Sequence, residues 1–309
     1  LKTVLDKFEK VRPMLPFNID GLVFLINDLQ QQEELGHTSN RPNFKMAWKF
    51  KPLQVVTKLN NIELMVGRTG QICPVANIEP IEVEGSIISN ASLYSYNNYK
   101  ELKLSIGDEV VIEKAGDIIP RLVGIHTKST NPIFVCEELC PSCKSKCIVD
   151  GAHLFCINEN CPKRFIGNII NLLTIFDIKE IGPAHVETLF NDKTIVNLYD
   201  IFTVTQEQLI KSLNSEKIGT TIYNEIHLKM SIPFWKLLYC VGISALGSTN
   251  SKKLAEKYNN DLDLIYNQTL TTDFENIPGI GKITSDEIKQ GLIKNQHIIY
   301  TIKSLVNIE

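Results

Sequence analysis

Two cysteine pairs, Cys140-Pro141-Ser142-Cys143 and Cys156-Ile157-Asn158-Glu159-Asn160-Cys161, are each closed by a short turn, with twelve residues between them. Thiolates at that spacing suit one tetrahedral zinc site made of two knuckles, with Zn–S bonds of about 2.3 Å. Pro141 and Pro162 each follow a ligand and stiffen the turns. So small a cluster buries no core of its own, so zinc would supply its folding energy. The chain has eight cysteines, concentrated between Cys136 and Cys161, with Cys73 and Cys240 isolated. A disulfide framework would spread its cross-links through a small secreted domain. Cys136 and Cys147 fall outside the pairs and are read as non-ligands.

A second group of candidates lies upstream. The run Leu15 to Ile26 reads as a turn feeding a buried apolar strand. Asp20 stands just before that strand, where a carboxylate could hold a magnesium ion or a ribose. Gly21 would let a ligand approach the backbone. The alternative is a plain Asp-Gly turn without chemistry. In Met46-Ala47-Trp48-Lys49-Phe50-Lys51-Pro52 apolar and basic residues alternate, which puts Lys49 and Lys51 on one face of a strand. On the inner face of a sheet they would suit phosphate; on an outer face they are merely solvated.

The elements that must position these residues follow from composition and pattern. The 309 residues suffice for two or three domains. Lys and Arg number 32 against 35 Asp and Glu, a formal net charge of −3, so any nucleic-acid surface must be local. No apolar run approaches the roughly 20 residues of a membrane span. The opening Leu1-Lys2-Thr3-Val4-Leu5-Asp6 is interrupted at once by charge and does not read as a signal peptide. It also lacks an initiator methionine, so a piece of a longer, cytoplasmic protein is expected.

From residue 53 to about 126 short strands alternate with glycine turns, among them Val66-Gly67-Arg68-Thr69-Gly70, which presents an arginine. That spacing suits a small closed barrel of the OB type. After the zinc module the pattern turns helical, and an apolar–glycine–helix-start motif recurs. Its copies are Ile178 to Pro183 (with Gly182), Lys217 to Thr221 (with Gly219), Gly242 to Ser248 (with Gly247) and Ile277 to Lys282 (with Gly279 and Gly281). Glycine admits a phosphate close to the backbone, and the unpaired N–H groups of the helix start bind it. Such contacts hold the sugar-phosphate backbone without reading bases. The plain alternative is four ordinary helix corners.

In this order, these residues resemble the NAD-dependent DNA ligases. Arg12 to Gly21 is similar to the family's nucleotidyltransferase motif IV and Ala47-Trp48-Lys49-Phe50 to its motif V. Val66 to Gly70 and Ala115-Gly116-Asp117-Ile118-Ile119-Pro120 resemble two loops of its OB domain. The resemblance implies a multidomain α+β chain. Residues 1–52 would end a nucleotidyltransferase domain, 53–132 form an OB-fold domain, 133–165 a four-cysteine zinc finger and 166–309 a helix-hairpin-helix domain. It implies NAD as AMP donor, Mg2+ and Zn2+ as metals, and a monomer acting on nicked double-stranded DNA whatever its sequence. Arg12 and Lys49 would contact the adenylate, and Asp20 would organise metal and nucleotide. Arg68, Thr69, Lys114, Ile118 and Ile119 would lie against the duplex, with Gly182, Gly219, Gly247, Gly279 and Gly281 on its backbone.

Departures from the family accompany the match. Its lysine nucleophile sits in a Lys-x-Asp-Gly motif that this chain lacks; Asn18-Ile19-Asp20-Gly21 carries Asn at that place. Leu25 stands where the family has a lysine, with Lys51 a candidate substitute. Glu180 replaces a glycine usual in the first repeat. Two readings stay open: the DNA-gripping piece of a ligase, or a non-catalytic nicked-DNA-binding module derived from one. A repair nuclease is disfavoured because no acidic cluster of the two-metal kind is present.

Overall fold

The computed structural model describes residues 2–17, 19–38, 41–83, 85–115, 119–243, 245–271 and 273–309. Two compact units divide the chain. One comprises Leu1–Met65, Cys73–Glu137 and Val149–Leu154; the other comprises Val66–Ile72, Glu138–Ile148 and Phe155–Glu309.

The first unit opens on a helix, Lys2–Val11, followed by a 3-10 turn, Arg12–Met14, with Pro13 in its first positions. Proline suits that place because an initial N–H has no intrahelical partner. The strand Gly21–Leu25 then pairs antiparallel with Lys45–Lys49, Gly21 facing Lys49 and Leu25 facing Lys45. A Cβ on Gly21 would stand 2.3 Å from the Trp48 carbonyl oxygen. The glycine therefore admits the partner strand, where the sequence suggested a ligand. The strand is also less buried than its apolar sequence implies, with Val23 63% and Leu25 55% exposed. A two-stranded ribbon covers neither of its faces. Between its strands runs the helix Leu29–Leu35, capped by Asp28, whose carboxylate accepts the N–H groups of Gln30 and Gln31.

Five strands follow: Gln54–Val66, Gln71–Val83, Ser86–Ser92, Glu109–Ala115 and Ile119–Thr127. The first pairs with the second and the fourth, the fourth with the fifth, and the fifth with the third. The third pairs back to the second and closes the sheet into a barrel. The closing contact between third and fifth strands is parallel, at Ser92 and Arg121. Alternate side chains point inward, so Leu59, Ala76, Ile78, Val110, Ile112 and Leu122 are all but excluded from water. The short helix Tyr96–Leu102, capped by Ser95, sits between the third and fourth strands and buries Tyr96 and Tyr99.

The second unit holds the cysteine module and the helices from Pro162 onward. Its core joins Ile169, Leu172, Leu189, Ile222, Leu237 and Ile299 in one apolar cluster. In the helix Pro162–Ile175 the buried residues Ile166, Ile169, Leu172 and Leu173 fall at the three- and four-residue steps of a helical stripe. The helix Gln206–Leu213 begins with a reciprocal capping box between Thr205 and Gln208. Among the described residues no helix is long and apolar enough to cross a membrane.

Candidate active site, metal centre and nucleic-acid interface

Asp20, Lys49 and Arg12 meet at one end of the two-stranded ribbon. The Phe50 N–H donates to the Asp20 carbonyl oxygen at 3.0 Å, which aligns the two strand ends. Lys49 Nζ donates to Asp20 Oδ2 at 2.5 Å. That hydrogen bond, and then the lysine charge, hold the Asp20 carboxyl below its ordinary value. The Arg12 guanidinium lies 5.3 Å from the centre of the Phe50 ring. Arg12 also lines a cavity of about 730 Å³ together with Glu9, Lys51, Gln54 and Glu113. Lys49 lines a second cavity, of about 520 Å³, with Glu9, Trp48 and Lys51. Cations and an ordered carboxylate so placed can hold an anionic, hydroxyl-bearing ligand such as a nucleotide. As a magnesium site the set is thinner. Asp20 is a single carboxylate already engaged by Lys49.

The cysteine module is built by local geometry. The Cys140 N–H donates to the Ser145 carbonyl at 2.9 Å, and the Lys144 N–H returns to the Cys140 carbonyl at 2.9 Å. Lys144 takes a left-handed conformation, φ 59°, to close that knuckle. The second knuckle is closed by the Cys161 N–H on the Asn158 carbonyl. Arg164 braces it by donating to the carbonyls of Cys156 at 3.2 Å and Asn158 at 3.0 Å. The sulfurs of Cys140, Cys143, Cys156 and Cys161 all lie within 4.8 Å of one another. Cys140 and Cys161 are 3.8 Å apart, and Cys143 and Cys156 3.5 Å. Four thiolates around one zinc at about 2.3 Å would be spaced by about 3.8 Å, so the four residues fit that ion. Burial works against the Cys143 thiolate, but Ser145 and Asn158 outweigh it and pull the thiol down to about 6. Cys147 is pushed up to about 11 by burial and the neighbouring cysteine charges, and its thiol faces the Ser145 carbonyl. Cys136 lies elsewhere, its N–H donating to the Tyr99 hydroxyl.

Around the barrel, Lys114 reaches Ser86 Oγ at 3.4 Å. Ile119 faces Ala115 across the ladder, while Ile118 lies outside the described residues, as do Gly116 and Asp117 of its loop. Arg68 is half-buried and directs Nη1 at the Gly242 carbonyl, 3.5 Å away, whereas the neighbouring Thr69 is exposed. A Cβ on Gly167 would stand 3.0 Å from the Arg68 Cβ, so the arginine loop rests closely on that helix.

The helical repeats differ among themselves. Gly182, Gly247 and Gly281 are the N-cap residues of the helices Pro183–Asn191, Ser248–Lys257 and Lys282–Leu305. Their backbones agree closely, with φ −91°, −74° and −88° and ψ 175°, 177° and 176°. A Cβ on any of the three would meet nothing within 4 Å. Each helix start is therefore open, with the positive end of its dipole facing outward. Gly279 turns the chain with φ 82°, and Lys253 Nζ donates to the adjacent Pro278 carbonyl.

Gly219 departs from the expected pattern. It does not precede a helix but lies inside the helix Glu216–Leu228, whose cap is Ser215. Its N–H is spent on the Ser215 carbonyl, and an added Cβ would come within 2.7 Å of Ile210. This glycine packs one helix on another. The first repeat departs too. The Glu225 carboxylate accepts the N–H groups of Lys179 at 2.9 Å and Glu180 at 2.7 Å. Those turn amides already hold an anion of the chain itself. Both the Glu225 contact and the Arg68–Gly242 contact join residues far apart in sequence, and no local motif marks them.

Residues 1–53 match the sequence model of the NAD-dependent DNA ligase adenylation domain, and residues 56–132 that of the NAD-dependent DNA ligase OB-fold domain. Over 99% of its length the chain is 33% identical to a DNA ligase of Endomicrobium trichonymphae, of which it covers 46%. It is 33% identical over 97% of its length to a DNA ligase of Flavobacterium psychrophilum, again covering 46%. To a DNA ligase of Christiangramia forsetii it is 37% identical over 82% of its length, covering 40%. The chain thus spans about half the length of the curated relatives it matches, and over that span it belongs to the NAD-dependent DNA ligase family.

Proposed function

We propose that the chain is the DNA-gripping and nucleotide-closing part of an NAD-dependent DNA ligase that seals 5′-phosphate/3′-hydroxyl nicks in duplex DNA. One observation carries the reading. The Asp20–Lys49 pair and Arg12 stand together in the segment that matches the adenylation domain.

In the reaction a lysine nucleophile attacks the adenylate phosphorus of NAD, forming a P–N bond and expelling nicotinamide mononucleotide. The nick's 5′-phosphate oxygen then attacks that phosphorus and releases the lysine, giving a DNA-adenylate. The 3′-hydroxyl finally attacks the 5′-phosphorus, loses its proton and expels AMP. Positioning and charge neutralisation carry most of such phosphoryl transfer. Lys49 and Arg12 supply cations to the phosphates, and Asp20 holds Lys49 in place and accepts a ribose hydroxyl. Zinc, bound by Cys140, Cys143, Cys156 and Cys161, would be structural, since four thiolates leave no open position. The open helix starts at Gly182, Gly247 and Gly281 hold the sugar-phosphate backbone, with Arg68, Thr69 and Lys114 as further contacts. Leu25 favours a second reading, a nicked-DNA-binding module without chemistry, because a leucine on the ribbon brings no charge to a phosphate.

The test is the intact mass of the whole native reading frame after incubation with NAD and magnesium. An added AMP is expected there. The 309-residue piece should gain none and should bind nicked DNA without sealing it. Sealing by the piece overturns the fragment reading. A whole frame that binds nicks but takes up no AMP leaves the non-catalytic module.

A further inference from the structure

The ribbon's register assigns a part to a lysine that no motif singled out. Ile26 N–H donates to the Phe44 carbonyl at 3.1 Å, and Phe50 N–H to the Asp20 carbonyl at 3.0 Å. These mark the hydrogen-bonded pairs of the ladder. The pairs Gly21–Lys49 and Leu25–Lys45 fall at the alternate, non-hydrogen-bonded positions. There the Cα atoms approach to about 4.5 Å and the two side chains leave the sheet on the same face. Lys45 and Lys49 therefore share a face with Leu25.

Lys45 is exposed, and its ammonium lies 5.6 Å from the centre of the Phe44 ring. Such a contact at an exposed site is weak and yields readily to an anion. Among the described residues no carboxylate pairs with Lys45. Lys49, four residues on, stands about 13 Å along the same strand and is tied to Asp20. Lys51, proposed from sequence as the substitute for the cation missing at Leu25, lies past the opposite end of the pairing. It is six residues from Lys45, about 20 Å in extended chain, and lines the cavity beside Arg12.

We propose that Lys45, directly across the ladder from Leu25, is a phosphate-binding residue of the nucleotide site and supplies the charge that Leu25 lacks. The inference rests on the ligase reading for its ligand, a nucleotide phosphate, and on the register for its residue.

The test compares wild type, Lys45→Ala, Lys45→Arg, Lys51→Ala and the double variant Leu25→Lys/Lys45→Ala in the whole native reading frame. AMP-adduct formation from NAD is followed by intact mass. Lys45→Ala should slow it about tenfold or more, the scale of losing one charged contact to a transferring phosphate. Lys45→Arg should stay near wild type. Leu25→Lys in the alanine background should recover the rate, which also rules out misfolding as the cause. An unchanged rate in Lys45→Ala, or a loss in Lys51→Ala alone, overturns the assignment. A wild type that forms no adduct refutes the ligase reading separately. AMP titration followed by isothermal calorimetry then decides Lys45: weaker binding in Lys45→Ala keeps the site, and unchanged or absent binding removes it.

Discussion

At the residue scale the barrel depends on a carboxylate that carries no chemistry. Asp108 is fully buried. It accepts N–H groups from Ser105 at 2.8 Å and Ser129 at 2.7 Å, and the Lys128 ammonium at 2.8 Å. Burial raises its pKa, but Lys128 and the two backbone donors outweigh that and hold it below the ordinary carboxylate value. A depressed folded pKa means that the stabilisation is present above the unfolded value and lost as pH falls through the folded one. Asp108→Asn should therefore lower stability at neutral pH by about 2 kcal/mol or more, since buried donors lose their charged acceptor. The gap to wild type in urea midpoints should begin to narrow below roughly pH 4, where the carboxyl of the unfolded chain takes up its proton, and close as pH falls through the lower folded value. A gap that stays constant into acid would remove the charge from this account.

At the scale of elements the helix corners separate into two kinds that one glycine motif had joined. Gly219 is pressed against Ile210, so Gly219→Ala must push two helices apart, costing roughly 1–3 kcal/mol. Gly182 and Gly247 have room for a Cβ and ordinary φ values. Alanine at either should change stability by within about 1 kcal/mol yet weaken nicked-DNA binding, because the methyl would stand where the proposed reading brings a phosphate to the helix start. Thermal melts and fluorescence anisotropy with a nicked duplex separate the two effects. If Gly247→Ala melted early and bound normally, the open helix starts would be structural corners only. The cysteine module shows why its own motif was so readable. Both knuckles close through hydrogen bonds between neighbours in sequence, so spacing alone nearly determines the sulfur positions.

For the whole molecule, the proposed DNA affinity would have to come from local surface, because the net charge is −3. On the proposed reading, backbone amides and scattered lysines would contact phosphates and displace counterions without reading bases. Binding of the 309-residue chain to a nicked duplex should fall at least about tenfold between 50 and 200 mM salt. Two nicks set in unrelated sequences should bind alike. A strong preference for one sequence, or affinity indifferent to salt, would contradict the backbone grip.

Legible from the sequence alone were local features: the four cysteines, the barrel's alternation of apolar residues with glycine turns, the glycine-led helix starts, and the ordered motifs that resemble one family. Each is written in neighbouring residues whose spacing follows from helix, strand or metal geometry. Contacts between distant residues belonged to the tertiary structure. Only the fold paired Asp20 with Lys49, set Leu25 opposite Lys45, laid Arg68 against Gly242, bound Glu225 to the Lys179–Glu180 turn and turned Gly219 inward. A strand's period says which residues share a face but not which strand lies across the ladder. A glycine says that something comes close but not whether it is a phosphate or another helix.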